Sequence, residues 1–70
     1  MKTKRIANEI KKKTSLIVEA EYNTLFLMTT KITESAMSLI NDILEKYKVK
    51  VSSIGIDRYG YIYFDLMEVN

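Results

Sequence analysis

The sequence predicts one α+β domain in which a long amphipathic helix packs on a small antiparallel sheet made of two hairpins. Three observations predict this fold class. Residues 34 to 47 carry apolar side chains at helical spacing, residues 16 to 22 alternate apolar and polar side chains, and residues 49 to 69 form two strand-like runs around one turn. Because the chain has 70 residues and no proline, we expect a single domain over residues 1 to 70, in the order α-β-β-α-β-β.

The first 14 residues predict a short basic helix, which precedes a sheet-plus-helix body over residues 15 to 70. Ile6 and Ile10 lie four positions apart with Ala7 beside them, which gives a narrow apolar stripe. A helix of this length is marginal in isolation, so we expect it either to dock on the body or to fray.

Residues 16 to 22 predict a half-buried strand, and strand-forming residues continue after it. The two faces of this strand are Leu16, Val18, Ala20 and Tyr22 on one side and Ile17, Glu19 and Glu21 on the other. A tight turn at Asn23 and Thr24 would make the segment a hairpin. The pairs predicted by that turn are Tyr22 with Leu25 and Ala20 with Leu27. Since Asn-Thr lacks the glycine that favours such turns, one long bent strand over residues 16 to 30 is the alternative.

Residues 34 to 47 predict the long helix. Thr33 is a favourable N-cap, and Glu34 places negative charge in the first turn. Ile32 and Met37 have the spacing of a hydrophobic staple. The apolar face that we expect to lie on the sheet consists of Ala36, Leu39, Ile40, Ile43, Leu44 and Tyr47.

The last segment predicts a hairpin whose three-residue loop is Arg58, Tyr59 and Gly60, with the glycine in the left-handed conformation. The pairs predicted by this loop are Asp57 with Tyr61, Ile56 with Ile62, Ile54 with Phe64, Ser52 with Leu66 and Lys50 with Glu68. A two-residue loop would instead set Lys50 against Met67 and Val49 against Glu68. We expect the first register because it places apolar residues opposite one another and Lys50 opposite an acid.

This register predicts an apolar core side of the hairpin, formed by Ile54, Ile56, Ile62, Phe64 and Leu66. The opposite face would hold Val49, Val51, Tyr61, Tyr63, Met67 and Val69, with Ser53, Asp57 and Asp65 among them. Such a face is too apolar for open water, so we expect a cover: the N-terminal helix, a second copy of the chain or a partner.

No motif in the sequence predicts catalysis or metal binding. The chain contains neither His nor Cys, which excludes the usual triads, a thiol nucleophile and a zinc finger. Its glycines, at positions 55 and 60, do not form a phosphate loop. We therefore expect a protein that is not an enzyme, with no cofactor, no metal and no evident small-molecule substrate.

The N-terminus is basic, but it is not followed by the continuous apolar segment of a secretory signal. No apolar run approaches the ~20 residues that a membrane span requires. We expect a cytoplasmic protein without membrane attachment, which fits the absence of Cys.

Two groups of residues are candidates for binding. The first group, at the tip and outer face of the last hairpin, is Arg58, Tyr59, Tyr61, Tyr63 and Met67. Tyr and Arg are enriched at binding hot spots, although Tyr also favours strands and these rings can simply cover Gly55. The second group, which is suited to nucleic acid or an acidic surface, is Lys2, Lys4, Arg5, Lys11, Lys12 and Lys13. The alternative for this second group is a solvated helix face whose last lysines complement the helix dipole.

These patterns predict a non-enzymatic protein-binding module. Its small size and its Ile- and Lys-rich composition are typical of inhibitors or adaptors that phages and mobile elements encode. The alternative is a small nucleic-acid-binding protein that uses the basic N-terminal helix, either as a single chain or as a homodimer. A short chain buries a small share of its surface, which favours a homodimer or an obligate partner.

Overall fold

Two helices and four strands follow the predicted order in the computed structural model, which describes residues 1 to 69. Their bounds are α1 Thr3–Thr14, β1 Glu19–Glu21, β2 Thr24–Phe26, α2 Glu34–Lys46, β3 Val49–Ile56 and β4 Ile62–Glu68. The strands form one antiparallel sheet in the order β1-β2-β4-β3, so β1 and β3 are its edges. The predicted α+β class and the order α-β-β-α-β-β are confirmed.

The basic helix α1 docks on the body. Ile6, Ala7 and Ile10 are 0 to 3% exposed and join the same core as Phe64 of β4. α1 packs against α2, β1 and β2, so both helices cover one face of the sheet, called here the inner face. The other face, called the outer face, therefore receives no cover from α1.

The segment after α1 is a hairpin and not one long strand, but its turn lies one residue earlier than predicted. Tyr22 and Asn23 form the turn, with Tyr22 at a φ of +54°. Ala20 consequently pairs with Leu25, where the prediction had Leu27. This register leaves Leu25 and Leu27 fully buried, whereas Tyr22, predicted on the apolar side of the strand, is 91% exposed.

Helix α2 begins as its N-cap predicts. Thr33 Oγ1 accepts a hydrogen bond from the backbone N–H of Ala36 at 3.1 Å. Ile40, Ile43 and Leu44 form the buried stripe. Leu39, predicted on the same face, is 38% exposed, because it lies about 100° around the helix from Ile40, at the margin of the contact.

The final hairpin has the predicted loop. Gly60 has a φ of +84°, and the Asp57 N–H donates to the Tyr61 carbonyl at 2.9 Å. Ile56 pairs with Ile62 as predicted. The pair of Ile54 with Phe64 is also confirmed.

A β-bulge at Ser52 makes the far half of the predicted register wrong. Beyond the bulge, Val51 opposes Leu66, Lys50 opposes Met67 and Val49 opposes Glu68. The extra residue turns Val49 and Val51 from the outer to the inner face, where Val49 is 5% exposed under α2. Burial of Val49 and partial burial of Val51 favour the bulge. Ser52 Oγ also donates a hydrogen bond to the Asp65 carbonyl at 3.1 Å. The outer face is correspondingly less apolar than predicted.

The inner face is not fully covered. Ile54 and Ile56 lie on it as predicted, yet they are 63% and 69% exposed rather than buried. The helices account for this exposure, because α1 lies over β1 and β2 while α2 contacts β3. The half of β3 nearest the loop therefore projects beyond the helical layer.

Candidate functional site

The hairpin tip, residues 57 to 61, is a hydrogen-bonded turn that presents an arginine and two tyrosines. Asp57 Oδ1 accepts hydrogen bonds from the N–H groups of Tyr59 and Tyr61, at 2.8 and 3.0 Å. The Arg58 guanidinium lies 5.7 Å from the centre of the Tyr59 ring, and that ring is 72% exposed. These predicted residues form one small, preorganised surface.

The other two residues of the predicted hairpin site lie apart from the tip. Tyr63 packs on Phe26 of β2, with ring centres 5.9 Å apart, and its ring lies over Gly55. Met67, which is 44% exposed, pairs with Lys50 near the opposite end of β4. The five residues therefore occupy three places on the hairpin and not one continuous patch.

The centre of the outer face is polar. The Asp65 carboxylate accepts hydrogen bonds from Thr24 Oγ1 and Ser53 Oγ, both at 2.7 Å. These two bonds lower the pKa of Asp65 below its ordinary value, because each stabilises the ionised carboxylate. The bond from Thr24 has the larger effect and the bond from Ser53 the smaller. A satisfied carboxylate at the middle of this face reduces its need for the cover that the sequence predicted.

All six cations of the second predicted site are exposed on or beside α1. The acidic residue among them points elsewhere: Glu9 Oε1 accepts hydrogen bonds from Lys46 Nζ at 2.8 Å and from the Tyr47 hydroxyl at 2.7 Å. These bonds, that of Lys46 first, lower the pKa of Glu9. The same hydrogen bonds raise the pKa values of Lys46 and Tyr47, because each group donates to Glu9 in its protonated form. Glu9 thus connects α1 to α2 and leaves the cations on a basic face.

A shallow concavity of about 550 Å³ adjoins this basic face. Its lining includes Lys4, Arg5, Asn8 and the exposed ring of Tyr22. The acidic side chain of Glu19, however, lines the neighbouring concavity together with Lys4. The positive charge is therefore local to α1 and is interrupted at β1.

The surface that sequence reasoning missed is a groove of about 750 Å³ between α2 and β3, called here the edge groove. Its apolar lining is Met37, Leu44, Val49, Val51, Ile54 and Val69, and its polar rim is Asn41, Glu45, Lys48 and Lys50. Two of its valines reach it only because of the bulge at Ser52. The sequence signal for that bulge is the change of phase in the apolar alternation, from Val49 and Val51 to Ile54 and Ile56, and the predicted regular ladder did not use it.

The wall of the edge groove is a strand edge. Within residues 1 to 69, β3 pairs with β4 alone. Asp57 hydrogen-bonds to Tyr61 across the hairpin, and hydrogen-bonded and non-hydrogen-bonded pairs alternate in an antiparallel ladder. The N–H and C=O groups of Ile56 and Ile54 therefore point away from β4, toward the open edge.

Residues 1 to 69 contain no group of three or more Asp, Glu, His or Cys side chains that could hold a metal ion. No helix among them has the length and apolar character needed to cross a membrane.

No protein-family model matches the chain, and neither does any curated protein or solved structure.

Proposed function

We propose that this chain is a non-enzymatic protein-binding module and that it binds along the β3 edge and the edge groove. The observation that carries the proposal is the exposure of Ile54 and Ile56, 63% and 69%, on a strand whose outward N–H and C=O groups have no neighbouring strand within residues 1 to 69. Apolar side chains next to open backbone groups are the features that strand addition uses.

The two edges of the sheet differ in a way that supports this choice. β1 has only three residues, and Glu19 and Glu21 are two of them. Short, charged edges are a common protection against unwanted pairing. β3 has eight residues, and the stretch from Val51 to Ile56 carries no charge. Apart from Lys50 near its start, the long edge therefore lacks the charges that protect the short one.

An extended segment of a partner is the ligand that fits this edge. Its backbone would pair with the outward groups of Ile54 and Ile56, and alternate side chains would contact those isoleucines and the groove. Such binding would hold a segment of the partner in place without any catalysed reaction, as an inhibitor or adaptor does. Because the partner is not identified, the test has to find ligands without assuming one.

The test selects extended peptides from a displayed random library against the full chain and maps their binding by amide chemical shifts. We expect alternating apolar peptides that shift the Ile54 and Ile56 amides. Ile56→Lys should weaken their binding at least tenfold, since it puts a charge into the contact. Ile17→Lys is the matched control, because Ile17 is 67% exposed on the segment before β1. Peptides that bind both variants equally, or that shift only α1 or the hairpin tip, would contradict the proposal.

A second candidate function is the binding of single-stranded nucleic acid by the basic face. The observation that favours it is the position of Tyr22, 91% exposed beside Lys4 and Arg5, where a base could stack while the cations contact phosphates. Glu19 and the net acidic body limit the size of such a site. The salt dependence of oligonucleotide binding tests this candidate.

A further inference from the structure

We propose that the occupant of the β3 edge is a second copy of this chain, paired antiparallel β3 to β3 with Gly55 on the two-fold axis. The inference rests on the proposed role of this edge as a binding surface and specifies its partner. It joins the two four-stranded sheets into one continuous sheet of eight strands.

Backbone geometry selects the register. The outward groups belong to Ile54 and Ile56, so a hydrogen-bonded pair must form between outward residues of both copies. With Gly55 on the axis, Ile54 of each copy pairs with Ile56 of the other, and both pairs satisfy this condition. The four isoleucine side chains then lie together on the inner face, where each is exposed in the single chain.

Neighbouring symmetric registers are poorer. An axis at Ile54 sets Ile56 opposite Ser52 of the other copy. An axis at Ile56 sets Ile54 opposite Arg58. Only the axis at Gly55 pairs isoleucine with isoleucine twice, because isoleucine stands on both sides of that glycine.

The outer face of the seam also accepts this axis. Non-hydrogen-bonded pairs bring the two Cα atoms to about 4.5 Å, the closest approach in an antiparallel ladder. Gly55 has no side chain there, and the space above it is filled by the Tyr63 ring of the same chain. The axis therefore places one Tyr63 ring on each side of the seam, where the rings cover the paired glycines.

Charge and area are consistent with self-association. The stretch from Val51 to Ile56 is uncharged, so two copies meet without like charges opposed. Specific interfaces bury about 800 Å² per partner, which is about one sixth of the 4930 Å² surface of this chain. The register places the isoleucines at the centre of the seam and brings the hairpin tip of each copy opposite Val51 of the other, beside the edge groove.

The experiment measures the mass of the full chain by light scattering across micromolar concentrations. We expect a dimer, with twice the 8.2 kDa chain mass, for the natural sequence and for Ile17→Lys. Folded Ile56→Lys should have the mass of a monomer. A monomeric natural chain would overturn the dimer. So would a dimer that Ile56→Lys leaves intact, because it would use another surface such as the Tyr61, Tyr63 and Met67 side. Neither result touches the peptide-binding test, so the dimer and the binding edge fail separately.

Disulfide trapping tests the register without relying on a destabilised variant. The chain has no Cys, and hydrogen-bonded cross-strand pairs have Cα atoms about 5.5 Å apart, within disulfide range. When equal amounts of the Ile54→Cys and Ile56→Cys variants are combined and oxidised, more than half of the disulfide-linked dimers should join one chain of each variant. Random pairing would give half. A statistical mixture, or an excess of either homodisulfide, would contradict the axis at Gly55.

Discussion

The Tyr63 ring lies directly over Gly55, so that a Cβ atom at position 55 would come within 2.3 Å of it. Tyr63 also packs on Phe26 of β2, which joins three neighbouring strands on the outer face. Glycine is therefore required at this position by the ring opposite, and not by a turn.

This contact predicts that Gly55→Ala destabilises the natural chain by about 1 kcal/mol, because the ring has to leave its place. In a Tyr63→Ala background, the same substitution should instead stabilise by roughly 0.5 kcal/mol, since alanine is favoured over glycine in a strand. Urea unfolding of the four chains measures the coupling. An equal effect of Gly55→Ala in both backgrounds would exclude the ring as the cause.

Acid should weaken the connection between the two helices. Hydrogen bonds from Lys46 and then Tyr47 lower the pKa of Glu9 in the folded chain below its ordinary value of 4.5. A carboxylate with a lowered pKa contributes stability above its unfolded pKa and loses it as the pH falls through the folded value. Glu9→Gln should thus be less stable at neutral pH and lose less stability on acidification.

The matched control for this pH dependence is Glu45→Gln, an exposed carboxylate on α2. It should keep the acid sensitivity of the natural chain in thermal unfolding followed from about pH 7 to about pH 3. Asp65 also has a lowered pKa, so Glu9→Gln removes only part of that sensitivity. If Glu9→Gln and Glu45→Gln had the same pH profile, the role given to Glu9 would be wrong.

The hairpin tip should depend on Asp57. Asp57→Ala removes the acceptor of the Tyr59 and Tyr61 N–H bonds and should cost about 1 kcal/mol. Asp42→Ala, on the exposed side of α2, should change the free energy of unfolding by less than about 0.5 kcal/mol. Urea unfolding decides the matter, and equal costs at the two positions would contradict the structural role of Asp57.

The basic face makes a salt-dependent prediction. If the second candidate function holds, changing Lys4, Lys11 and Lys12 to Gln should make the negative slope of log binding constant against log salt concentration shallower by about 2 for a single-stranded oligonucleotide. Lys48→Gln with Lys50→Gln, two exposed lysines outside this face, should leave the slope unchanged. No binding by the natural chain at low salt, or an equal loss in the control, would remove this function.

Local patterns in the sequence predicted most of the fold. Thr33 identified the start of α2, the apolar spacing identified its buried stripe, and Gly60 identified the loop of the last hairpin. These features depend on neighbouring residues, so periodicity and turn chemistry are sufficient to predict them.

The errors arose where tertiary packing overrode local pattern. The bulge at Ser52 buries Val49 and partly buries Val51 under the helical layer, so the phase change between Val51 and Ile54 marks an inserted residue, whereas the prediction placed these valines on the outer face. The turn at Tyr22 lies where Leu25 and Leu27 become buried, although Asn23 and Thr24 are the better turn residues. The candidate edge groove depends on both the bulge and the strand order, and therefore appears only in the folded chain.

Amide hydrogen exchange at Ile54 and Ile56 tests most directly whether the β3 edge binds by strand pairing. In chain diluted until it is monomeric, these two N–H groups face solvent and should exchange quickly, while Gly55 between them should be protected by its pairing with Tyr63. In chain saturated with a selected peptide, we predict strong protection of Ile54 and Ile56 and little change at Gly55. Fast exchange at both isoleucines in the saturated complex would contradict binding at this edge.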